Sequence, residues 1–144
     1  MSEQVTVRLL RECDAGVKMG ISSIDDVLDY VRDNRLKSCL SDCLVQHEQI
    51  QNEISRQLQL HGDSGKEPAA MAKGMSWLKT NVKLAVNESD EVVADLVTDG
   101  CNMGVKSLSR YFNQYPAADD KAKKLASRLV KEEERLACQL RDFL

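Results

Sequence analysis

The chain has 144 residues, 42% hydrophobic and 30% charged, which is the balance of one folded domain rather than a disordered segment. A formal net charge of −3, with the basic residues spread along the chain, argues against a nucleic-acid or anionic-membrane partner. Only 4% of residues are aromatic and two are proline, so helices are favoured over a sandwich or barrel.

Taken from the start, the chain shows no basic segment followed by an apolar run, and no apolar stretch near the ~20 residues a membrane span requires. A cytoplasmic protein is expected. The five cysteines (Cys13, Cys39, Cys43, Cys101 and Cys138) contain no CxxC pair and fall on helical patterns. They are read as reduced packing residues rather than reactive thiols.

Apolar or small side chains at 10, 13, 17, 20/21, 24, 27/28 and 31 recur at three- and four-residue steps, which predicts a first helix over about 4–33. A polar break at Asp33-Asn34-Arg35 leads into a second helix over about 36–60. Its inner stripe runs Leu40, Cys43, Leu44, His47, Ile50 or Gln51, Ile54 and Leu58. So short a link between long helices makes an antiparallel hairpin.

Residues 61–88 form the crossover, holding Gly62, Gly65, Pro68 and Gly74, with a short helix expected over about 76–86 and Trp77 as its packing anchor. Ser89 followed by Asp90 and Glu91 is an N-cap signal, so a third helix is placed at about 89–114. It stops at Tyr115-Pro116, because the residue before proline avoids helical angles. A fourth helix over about 117–143 carries Leu125, Leu129, Leu136, Leu140 and Phe143 inward.

The segment around Gly16, Met19, Gly20 and Ser23 returns 84 positions later as Gly100, Met103, Gly104 and Ser107. The second and fourth helices also align, at an offset of 85, through Leu40/Leu125, Leu44/Leu129, Val45/Val130 and Glu48/Glu133. Two related hairpins are therefore expected. Residues 62–75 extended at ~3.3 Å each reach roughly 46 Å, more than the roughly 37 Å of the second helix. The crossover can run the length of the bundle and leave helices two and three parallel.

With this pattern, Trp77-Leu78-Lys79, the run Gly100-Cys101-Asn102-Met103-Gly104 and the closing Glu133, Leu140 and Phe143-Leu144, the chain resembles the uncharacterised bacterial ferritin-like families. The resemblance implies an all-α fold: a ferritin-like four-helix bundle of two pseudo-twofold-related αα-hairpins joined by a long crossover. Active ferritin-like proteins hold two irons or manganeses with one Glu from each of two helices and a Glu-x-x-His from each of the others. Here Glu48 and Glu133 answer to that motif, but Gln51 and Leu136 stand three positions on, and the other two helices offer glycines. No cofactor is therefore expected. The alternative is a degenerate iron or manganese site, in an oxidoreductase or metal-storage protein, using Glu48, Glu133, His47 and Glu132.

Glycine inside a helix costs about 0.5–1 kcal/mol relative to alanine, so four at paired i, i+4 spacing need a reason. Gly16, Gly20, Gly100 and Gly104 are read as a helix-packing seam where helices one and three cross closely. A small-ligand cavity is the less favoured reading, because empty core volume is costly. Function is then expected from association with protein, with a homodimer as one form, rather than from catalysis.

Overall fold

In the computed structural model, described for residues 2–68 and 89–144, the chain forms four long helices. These are α1 (Ser2–Leu28), α2 (Asn34–Leu60), α3 (Asp90–Gln114) and α4 (Asp120–Leu140), with a final 3-10 turn over Arg141–Phe143. The expected short helix at 76–86 and its Trp77 lie outside the described residues.

The helix ends follow their caps. Helix α1 stops five residues short of the expected 33, because its last turn tightens: Tyr30 N–H bonds Val27 O at 2.9 Å and Val31 N–H bonds Leu28 O at 3.3 Å. Asp33 then caps α2, accepting from Arg35 N–H at 2.8 Å. The freed N–H groups of Arg32 and Asp33 donate to the Asp90 carboxylate at 2.8 and 2.9 Å. Ser89 caps α3 as its sequence position indicates, through Val92 N–H at 3.2 Å. Helix α4 begins three residues later than expected, because Asp119 takes the cap and accepts from Ala122 N–H at 2.8 Å.

Cross-helix contacts set the directions. Asp90, at the start of α3, lies at the α1–α2 turn, and Gly16 stands opposite Leu108, so α1 and α3 are antiparallel. His47 meets Glu133, and Glu53 meets Arg128 at 2.7 Å, so α2 and α4 are antiparallel too. The Thr6 hydroxyl accepts from Asp119 N–H at 2.8 Å, which places the starts of α1 and α4 at one end. Helices α2 and α3 therefore point the same way.

Beyond α2 the chain turns back along α1. Arg11 holds Asp63 at 2.9 Å, Lys66 N–H donates to Asp14 at 2.9 Å, and Lys18 pairs with Asp14 at 2.8 Å. Gly65, at φ +96°, is required twice over: its backbone lies in the left-handed region, and a Cβ there would strike the Asp14 carboxylate.

Burial recurs in register. Leu9, Leu10, Cys13, Val17 and Ile24 are buried, as are Val93, Ala94, Val97, Cys101 and Leu108, each 84 positions on. On α2, the buried Leu36, Leu40, Cys43, His47, Ile50 and Ile54 correspond to Ala122, Ala126, Leu129, Glu133, Leu136 and Leu140, each 86 positions on. The offset of 85 drawn from residue identity is thus one position short. Leucine, valine and glutamate are common throughout helices, whereas one residue of register turns a side chain by ~100°.

The apolar core divides in two. One cluster gathers Ile24, Val27, Leu36, Leu40, Leu96 and Leu140 at the end holding the α1–α2 turn. The other gathers Leu9, Val17, Ile54, Leu58, Leu108 and Leu129 at the opposite end. Neither contains His47 or Glu133.

Candidate functional site: a histidine–glutamate pair beside a glycine-lined cavity

At mid-bundle all four helices contribute to one layer. His47 Nε2 on α2 lies 2.7 Å from Glu133 Oε1 on α4, with His47 1% exposed and Glu133 8% exposed. Gly20 on α1 faces the imidazole, and Gly104 on α3 faces the carboxylate.

The hydrogen bonds constrain the protons. His47 Nδ1 lies 2.9 Å from the backbone oxygen of Cys43, which can only accept, so Nδ1 carries a hydrogen. The Cys43 sulfur is 3.3 Å from the same nitrogen. Between Nε2 and Oε1 there is then room for one proton, held as imidazolium and carboxylate or as imidazole and carboxylic acid. Burial opposes the charged imidazolium, but hydrogen bonds to Cys43 and Glu133 outweigh it and push His47 up to about 10.

Two thiols flank the pair. Burial pushes the Cys43 thiol up, with His47 opposing. Burial, then the charge of Glu133 and a hydrogen bond to it, push Cys101 well above the usual thiol range. Both remain protonated at neutral pH and are poor nucleophiles.

Beside the pair lies a cavity of about 260 Å³ between α1 and α3. Gly16, Gly20, Gly100 and Gly104 line it, with Met19 and Met103 among its walls and Glu133 and His47 at its polar side. Met103 is 55% exposed, so the cavity reaches the surface there. At Gly16, Gly20 and Gly104 the nearest described atoms are side-chain atoms rather than the backbone of the facing helix. Among the described residues a Cβ on Gly16 would find only Leu108 Cδ2, at 3.5 Å, and one on Gly20 would meet the His47 ring at 2.8 Å. At the expected seam stand two polar side chains, the His47 ring at Gly20 and Glu133 at Gly104, with the cavity beside them.

The four residues named as possible metal ligands do not assemble. Glu48 is exposed on the outer face of α2, one position from the buried stripe. Glu132 is engaged by Arg135 on its own helix. Only His47 and Glu133 meet, and they satisfy each other. Among the described residues no group of three or more His, Cys, Asp or Glu is arranged to hold a metal ion.

The charge balance of the cavity follows from its lining. Among the described residues it has no lysine or arginine; Glu12 at its edge pairs with Lys66, and Glu133 pairs with His47. No described helix is long and apolar enough to cross a membrane. No protein-family profile, curated protein or solved structure matches this chain.

Proposed function

We propose that this protein is a ferritin-like bundle that holds a small, largely apolar molecule in the cavity between α1 and α3. The observation that carries the reading is the cavity of about 260 Å³ against a buried, mutually hydrogen-bonded His47–Glu133 pair. An apolar concavity with a few convergent polar groups and perturbed titration is the form that small-molecule sites take.

Support for the ferritin-like part comes from helix direction and register. Helices α1 and α3 repeat their buried positions at 84 and α2 and α4 at 86, so Gly20 corresponds to Gly104 and His47 to Glu133. Each polar side chain then sits beside the glycine of its own half, as a pseudo-twofold axis between them requires. In ferritin-like enzymes this mid-bundle layer carries the metal ligands. Here the residues present do not fit a dimetal centre, since Glu48 faces outward and Glu132 is held by Arg135.

Association through protein has less to rest on. Among the described residues the exposed large apolar side chains Tyr30, Val45, Leu60, Met103, Phe112 and Leu144 are spread over the α1–α2 turn, α2, α3 and the end of the chain.

The test is entry of a small apolar probe. Xenon under pressure should shift the Met19 and Met103 methyl resonances of the wild type, as it does for dry apolar cavities. Gly16→Leu, whose side chain extends into the cavity from a Cβ with only ordinary contacts, should fold and abolish that response. Unmoved methyls in the wild type would defeat the proposal.

A further inference from the structure

Resting on that ligand-binding reading, we infer the class of molecule the cavity takes: an uncharged aromatic compound of about ten heavy atoms bearing one hydroxyl or N–H. Size sets the first limit. An apolar cavity of ~150 Å³ accepts benzene, so about 260 Å³ corresponds to a two-ring compound.

Charge sets the second. The cavity offers no described lysine or arginine, and the one imidazole facing it already shares its proton with Glu133. Among the described residues an anionic ligand would find no counter-charge to replace its hydration, a loss that costs far more than one hydrogen bond returns.

Hydrogen bonding sets the third. Glu133 gives Oε1 to His47, while Oε2 lies on the Gly104 side, 3.6 Å from where a Cβ would stand. The carboxylate also bonds the Cys101 thiol, but its two oxygens carry about four lone-pair sites, so the cavity still presents an acceptor to its occupant. The wall supplies the remaining preference: Met19 and Met103 place polarisable thioethers at the mouth, and sulfur contacts at the edge of an aromatic ring are favourable.

Calorimetric titration of the full chain at pH 7 with three compounds of one shape tests this. 2-Naphthol should bind with a dissociation constant on the order of 10–100 μM. Naphthalene, lacking the donor, should bind about tenfold more weakly, the worth of one hydrogen bond to a charged acceptor. 2-Naphthoate should not bind measurably. Glu133→Met should narrow the gap between 2-naphthol and naphthalene, and Gly16→Leu should remove binding of both. Equal affinity for 2-naphthol and naphthalene, or comparable binding of 2-naphthoate, overturns the ligand class and leaves the cavity site standing. Failure of all three to bind, or unchanged binding to Gly16→Leu, overturns the site itself.

Discussion

His47 and Glu133 face each other across the bundle at 2.7 Å, each lodged beside a glycine of a third and fourth helix. The pair occupies the boundary between two apolar clusters, with His47 1% and Glu133 8% exposed. His47 Nε2 and Glu133 Oε1 therefore depend on each other for this hydrogen bond.

That dependence predicts a non-additive cycle. Glu133→Leu alone leaves a buried imidazole without its partner and should cost about 3–5 kcal/mol. The double variant His47→Leu/Glu133→Leu removes both polar groups and should be more stable than Glu133→Leu alone. Denaturant unfolding of the two singles and the double measures the coupling. Additive losses would mean the pair contributes nothing jointly.

The two glycines of the layer should differ sharply. A Cβ at Gly20 would stand 2.8 Å from His47 Cδ2 and 2.9 Å from Nε2, and the ring is tied at both nitrogens. Gly20→Ala should destabilise by about 1–2 kcal/mol despite the gain in helix propensity. At Gly104 the nearest atom is Glu133 Cδ at 3.5 Å, an ordinary contact. Gly104→Ala should be neutral or stabilise by up to ~1 kcal/mol. Thermal unfolding of both variants decides whether the layer is packed as described.

Stability should fall as the medium turns alkaline. The folded His47 value of about 10 lies above its unfolded value near ~6.5. The stabilisation it brings is therefore complete below about pH 6.5 and is lost as pH rises toward 10. The wild type should lose stability between those limits, and the double leucine variant should lose less. The His47 ring should still titrate as part of a protonated pair at pH 8 by NMR. A ring that titrates near pH 6.5 would contradict the buried bond.

Thiol reactivity should divide the five cysteines. Burial, aided by the charges of Glu12 and Asp14, pushes Cys13 up to about 12, and Cys43 and Cys101 are also raised. Cys138 is exposed and Cys39 partly so. Iodoacetamide at pH 8 should modify Cys138 first and Cys39 next, leaving the other three until the chain unfolds. Mass mapping of the adducts checks the order.

The sequence by itself determined the four long helices, their principal breaks and the inward stripe of each, because apolar periodicity and capping residues act locally. It also singled out Gly16, Gly20, Gly100, Gly104, His47 and Glu133 as residues in need of an explanation. Which of them meet was a tertiary matter. Glu48 looks equivalent to Glu133 by residue type, yet its neighbour His47 reaches the interior, since one residue of helix register separates the buried face from solvent. Whether the glycines close a seam or open a cavity likewise depended on the side chains opposite. His47 and Glu133 need the volume that the missing side chains leave, and no pattern along one helix records what another helix places beside it.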